Sequence, residues 1–158
     1  MRLLKDYYER AMNRIINSSN SFQKQEVDEM IKTDRYNETL KFFSETFNKA
    51  RDGELRLGDI DLEKSDVAYY VSLLEELSYG LRYGKCKIIR DSDNVTKEYS
   101  DMVERFECDF SLAREGVRSL ERLSPENPML ELDIDLLNEL VESLNNSEIE
   151  IWIVIEGF

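Results

Sequence analysis

The longest periodic pattern in the chain is an apolar stripe in its second half, where large hydrophobic residues recur at steps of three or four. The stripe consists of Tyr99, Met102, Phe106, Phe110, Ala113, Val117 and Leu120. Steps of three and four keep side chains on one face of an α-helix, so the pattern predicts a helix over about 95–123. Such a helix would be roughly 43 Å long. We expect it to form the centre of the fold.

Shorter patterns predict further helices and a small sheet. Helical spacing is found in residues 3–16, 27–31, 36–50, 67–81 and 136–144. Short strands are predicted at residues 85–90, 129–133 and 148–158, and residues 54–63 are expected to be an extended connection or a short strand. The last of the three strands gives the strongest signal because it is rich in β-branched residues. The predicted fold is therefore α+β and predominantly α-helical, a helical bundle around a long helix at about 95–123 with a small β-sheet that includes the C-terminal strand.

The C-terminal strand can be placed in the sheet in two ways. Apolar residues at adjacent positions from Ile151 to Ile155 favour a strand that is central or covered on both faces. As an edge strand it could instead pair with a strand of a partner protein.

Length and composition predict one domain, residues 1–158. The chain has 158 residues, of which 41% are hydrophobic, and this is enough for a single core. The first residues, MRLLKDYYER, are interrupted by charges before the apolar run of a signal peptide can form. No stretch approaches the roughly 20 apolar residues of a membrane helix. We therefore expect a cytoplasmic protein.

The absence of histidine narrows the possible chemistry. Ser-His-Asp and Cys-His catalysis, and His-ligated zinc or haem, all need a side chain that this chain lacks. Cys86 and Cys108 cannot by themselves complete a four-ligand zinc site and are expected to be free thiols. Gly80 and Gly84 do not have the spacing of a phosphate-binding loop, and the acidic runs lack the glycine and glutamate of an EF-hand. The leading interpretation therefore predicts a protein that is not an enzyme and that has no cofactor and no metal site.

One enzymatic alternative remains, a magnesium-dependent nucleotide hydrolase built from carboxylates. Its candidate residues are Glu63, Asp66, Glu75 and Glu76. Glu63 and Asp66 also suit the first turn of a helix, where acids stabilise the helix dipole.

Net charge points to the partner class. The chain has 34 acidic against 21 basic residues, a formal net charge of -13. Such a charge repels nucleic acids and anionic membranes and favours a protein with a basic surface, which is most often one that binds nucleic acid. The candidate partner-binding residues are Asp91, Asp93, Glu98, Asp101, Glu104, Glu107 and Asp109. Arg114, Arg118 and Arg122 are secondary candidates, for an acidic neighbour within the fold or for a partner's carboxylate or phosphate.

The leading functional prediction is a non-enzymatic acidic protein-binding module. It would be an inhibitor or nucleic-acid mimic that occludes the basic surface of a nucleic-acid-binding protein, of the virus-encoded anti-defence or immunity type. The first alternative is a structural or adaptor protein, possible as a homo-oligomer, that assembles through helix faces or through the C-terminal strand. The second alternative is the magnesium-dependent hydrolase.

Overall fold

The computed structural model describes residues 29–123 and 127–155, which form helices packed on one side of a small sheet. In chain order the elements are β1 (Glu29–Thr33), α1 (Asn37–Arg51), α2 (Ser65–Arg82), β2 (Cys86–Arg90), β3 (Asp93–Asn94), α3 (Thr96–Arg114), α4 (Pro128–Asn145) and β4 (Glu150–Ile155). Short 3-10 helices lie at Leu57–Asp59 and Leu120–Arg122. The α+β, predominantly helical class predicted from the sequence is confirmed. None of the described helices is long and apolar enough to cross a lipid bilayer.

The sheet is antiparallel, and its strand order is β1-β4-β2-β3. Ile151 of β4 lies opposite Thr33 of β1 on one side and opposite Ile88 of β2 on the other. The C-terminal strand is therefore central, as its apolar composition favoured. A partner's strand could add to β4 only if one of these two pairings opened, because both edges of β4 are already hydrogen-bonded.

Alternation along β4 divides the sheet into two faces. Ile88 and Ile151 point into the main core with the helices. Trp152, which is 1% exposed, and Ile89 form a second, smaller cluster that Met30 packs against. The apolar side chains at adjacent positions of β4 therefore pack into two separate clusters, one on each face of the sheet.

The centre of the helical layer is a cluster of four phenylalanines on α1 and α3. The ring centroids of Phe47 and Phe106 are 4.5 Å apart, and those of Phe43 and Phe110 are 4.7 Å apart. All four side chains are almost fully buried. These rings meet across the core between α1 and α3, and each of these two helices packs directly on α2 and on α4.

The central helix is shorter than predicted, because α3 ends at Arg114 rather than near residue 123. Gly116 has a φ of +77°, and the amide of Val117 donates to the carbonyl of Leu112. These are the features of a Schellman motif, which stops a helix at a left-handed glycine. Val117 is consequently 64% exposed although it fits the apolar stripe.

Two further local predictions are wrong. Residues 129–133, expected to be a strand, begin α4: the Asn127 side chain accepts a hydrogen bond from the Met129 amide, and Pro128 occupies the first turn. Asn-Pro is a strong helix start that overrides the short alternation after it. Met30 and Ile31, expected in a helix, lie in β1 because β4 offers them a pairing edge. The helix predicted at residues 3–16 lies outside the described residues.

Candidate interaction surfaces

The predicted acidic residues of α3 do not form one surface. Glu107 accepts hydrogen bonds from the hydroxyls of Ser78 (3.1 Å) and Ser111 (2.8 Å) in the seam between α2 and α3. Glu104 pairs with Arg82 of α2 at 2.7 Å. Both carboxylates therefore join α2 to α3, Glu104 through an arginine and Glu107 through a serine hydroxyl.

The remaining acids of α3 point in different directions. Glu98 lies 3.8 Å from Arg90 of β2, on the sheet side of the helix. Asp101 is exposed on the outer face. Asp109 is partly buried, and its burial raises the pKa of the carboxyl although Arg122 and Arg118 lower it. A single docking surface over the whole of α3 would thus need several side chains to leave their present neighbours.

The three candidate arginines find acidic neighbours within the fold. Arg114 lies 3.5 Å from Glu75 of α2, and the positive charges of Arg122 and Arg118 lower the pKa of Asp109. They do not stack on one helix, because only Arg114 belongs to α3.

Replacing Asp109 with asparagine should stabilise the protein at neutral pH by about 0.5 kcal/mol. The folded state favours the protonated form of this carboxyl, because its pKa is raised there. The free energy of unfolding therefore falls as the pH rises from the pKa of the unfolded chain through that of the folded protein. Asparagine does not ionise, so the variant does not lose stability in this way, and the difference in unfolding free energy between variant and wild type should vanish in acid. Urea unfolding at several pH values tests this, with the exposed Asp101→Asn as the control. A D109N protein that is less stable than the wild type at neutral pH would contradict it.

The structure does not bring the four hydrolase candidates together. Glu75 lies 2.6 Å from the hydroxyl of Ser111 of α3, whose single proton it shares with Glu107, whereas the next residue, Glu76, binds Arg35 and the hydroxyl of Tyr36. Arg35 first, and Tyr36 second, lower the pKa of Glu76 against the opposing effect of burial. Within residues 29–123 and 127–155, no three acidic or thiol side chains converge to hold a metal ion.

A second candidate surface surrounds a cavity of about 330 Å³ at one end of the sheet. The cavity lies between the β2–β3 turn and the loop from α4 to β4. Its lining residues are Ile89, Asp91, Ser92, Ser147, Glu148, Glu150 and Trp152. Topology makes this site, because β4 lies beside β2 and so carries the loop before β4 to the turn that follows β2.

Backbone strain is concentrated at this cavity. Among the described residues, three that are not glycine have positive φ, namely Asp91 (50°), Ser92 (72°) and Ser147 (59°), and all three line it. Such conformations cost of order 1 kcal/mol or more for residues with a Cβ, and they gather at functional positions more often than elsewhere.

Replacing Ser92 with glycine should stabilise the protein by about 0.5–1 kcal/mol. Asp91 and Ser92 are the two central residues of a two-residue hairpin, since Arg90 pairs with Asp93. A hairpin with positive φ at both central positions favours glycine at the second. Thermal unfolding measures the gain, and the isosteric Asp91→Asn, which also tolerates this conformation, is the control. An S92G variant that unfolds earlier than the wild type would contradict the assigned turn.

The cavity rim is acidic. Asp91 and Glu148 line the cavity, and Asp93 lies in the same hairpin as Asp91, opposite Arg90; all three are exposed, and none of them takes part in an ion pair among the described residues. Glu150 lies deeper, accepts from the Trp152 indole at 3.1 Å and lies 3.6 Å from Lys32. The sequence pointed to Asp91 and Asp93, but Glu148 lies far along the chain and only the fold places it at the same cavity as Asp91.

A third candidate surface is a row of exposed tyrosines on α2. Tyr69, Tyr79 and Tyr83 are 56%, 55% and 57% exposed. At about 100° per residue they lie within about 80° of one another around the helix axis. Sequence analysis did not single them out, because it followed the buried stripe of the same helix. We refer to these residues as the tyrosine face.

Comparison with known proteins gives no relative. No family model matches the chain, and no curated protein or solved structure is significantly similar to it. The function is therefore inferred from the surfaces described above.

Proposed function

We propose that this protein is a non-enzymatic binding module that recognises a partner with a basic surface. The observation that best supports the proposal is the acidic rim of the sheet-end cavity. There Asp91 and Glu148 come together from distant parts of the chain, and Asp93 lies in the same hairpin as Asp91; all three are exposed and outside the ion pairs of the described residues.

A partner could bind the acids of the rim with less rearrangement of the protein than the acids of α3. Glu104 and Glu107 already bind Arg82 and two serines, so a partner would have to replace those contacts. Rim carboxylates that face water can meet lysine or arginine side chains without such a rearrangement. Charges at a rim mainly accelerate association by electrostatic steering, and this suits a chain of net charge -13.

A nucleic-acid-binding protein is the partner class that this surface favours. Its basic surface is arranged to contact phosphates, and carboxylates on a rigid turn could take the positions of some of them. The strained hairpin at Asp91 and Ser92 fixes the direction of the rim, which lowers the entropy lost on binding. The module would then act by occlusion, as an inhibitor of the anti-defence or immunity type.

A pull-down with the tagged chain, from a lysate of its native host cell, tests the proposal. We expect one stoichiometric basic protein to bind at low salt and to be weakened at high salt, because each surface charge pair is screened. Recovery of no basic protein at low salt would overturn the proposal. So would a complex that salt leaves unchanged.

A further inference from the structure

We propose that the tyrosine face binds a second copy of this chain, giving a symmetric dimer in which the α2 helices lie antiparallel. The inference concerns a different surface from the acidic rim. Tyr83 precedes β2 and Asp91 follows it, so the Tyr83 end of the tyrosine face and the acidic rim lie towards opposite ends of that strand.

The tyrosine face has the composition of an interface centre. Tyrosine is among the residues that most often dominate binding energy, because a rigid ring contributes a large contact area and its hydroxyl remains able to hydrogen-bond. The rings are also held in place. Those of Tyr79 and Tyr83 lie with their centroids 4.5 Å apart, and the Lys85 ammonium is 5.9 Å from the Tyr79 ring centroid. Little rotamer freedom would therefore be lost on association.

Local charge favours a second copy as the occupant. The acids beside the tyrosines, Glu76 and Glu104, are each paired with an arginine, Arg35 at 2.6 Å and Arg82 at 2.7 Å. Asp66, exposed and three residues before Tyr69, adds one negative charge, and Lys85 adds one positive charge. The tyrosine face is thus close to neutral on a molecule of net charge -13, so it is where two copies can approach with little repulsion.

Symmetry agrees with this geometry, and the tyrosine face supplies the apolar part of the area that an interface needs. Residue 76 is midway between Tyr69 and Tyr83, so an antiparallel pair with its two-fold axis near Glu76 places Tyr69 of one copy against Tyr83 of the other. Three tyrosines that are more than half exposed offer about 300 Å² per copy. A standard interface buries about 800 Å² per partner, and the paired charges around the rings would supply the polar rim.

The acidic remainder of the surface would limit assembly to the dimer. Further copies would have to contact carboxylate-rich regions, where like charges repel. Salt therefore acts in opposite directions on the two proposed interactions. Screening should leave the dimer unchanged or strengthen it, whereas it should weaken a complex at the acidic rim.

Sedimentation of the whole chain at concentrations up to about 100 μM, with reductant because Cys108 is an exposed free thiol, measures the dimer. We expect a mass of twice 18.7 kDa at the higher concentrations, and a dimer fraction that salt leaves unchanged or raises. The double variant Tyr79→Ser, Tyr83→Ser should weaken self-association at least about tenfold. Its circular dichroism and thermal unfolding should match the wild type, because both side chains are exposed.

The matched control is Met129→Ser, Leu132→Ser, which removes two similarly exposed apolar side chains from α4. This variant should remain dimeric. A wild-type chain that is monomeric at every concentration and salt would overturn the proposal. A dimer that survives the tyrosine changes, or that both double variants abolish equally, would overturn it too. None of these outcomes decides whether the acidic rim binds a basic partner.

Discussion

Replacing Phe47 with alanine should lower the free energy of unfolding by about 3–5 kcal/mol, the largest loss that we expect from a single change in this chain. Phe47 is fully buried, and its ring centroid lies 4.5 Å from that of Phe106 and 5.8 Å from that of Phe110. The change removes a large apolar side chain and leaves a cavity where α1 meets α3. The surrounding rings cannot fill it, because they are fixed by their own neighbours.

Urea unfolding followed by circular dichroism gives the loss directly. Phe42→Ala is the matched control, because Phe42 lies on the same helix but is only partly buried, where it stacks on Tyr70 at 4.7 Å. We expect a clearly smaller loss there. Phe47→Leu should recover much of the stability, since it refills most of the volume. A loss below about 1 kcal/mol for Phe47→Ala would mean that this cluster is not the centre of the core.

The cluster was accessible from the sequence because helical periodicity reports burial directly. Phe106 and Phe110 are part of the stripe that predicted the central helix, and Phe43 and Phe47 follow the same spacing in α1. Such patterns predict buried faces reliably, because the face of a helix that lies in the core must be apolar whichever element packs against it. The central position of β4 was indicated in the same way, by apolar residues at adjacent positions.

Element ends were less accessible, because local hydrogen bonds decide them. α3 ends at a Schellman motif, but the apolar pattern in the sequence continues beyond the glycine of that motif without a break. β1 illustrates a different limit. Met30 and Ile31 could belong to a helix or a strand, and only the pairing with Val154 and Ile153 of β4 selects the strand.

The acidic rim shows how far composition can locate a site. Net charge indicated a partner class, and the turn at Asp91 and Asp93 was recognisable from its residues. The proximity of Glu148 follows from the strand order, which places the loop before β4 beside the β2–β3 hairpin. No spacing in the sequence encodes that contact.

Removing the three rim charges should slow association with a basic partner about tenfold or more. The variant combines Asp91→Asn, Asp93→Asn and Glu148→Gln, which preserve side-chain shape. Asparagine also tolerates the positive φ of residue 91. The fold should therefore be retained, and the change should appear as a lower association rate and a weaker dependence on salt.

The control variant removes the same number of charges from exposed acids elsewhere, through Glu45→Gln, Glu131→Gln and Glu142→Gln. Because both variants have the same net charge, general attraction to a basic protein falls equally in each. Surface plasmon resonance with the captured partner, over a series of salt concentrations, separates the local contribution from the general one. A larger loss of rate in the rim variant places the contact at the sheet-end cavity. Equal losses would show that the partner responds only to overall charge, and the outer face of α3 around Asp101 would then be the next surface to neutralise.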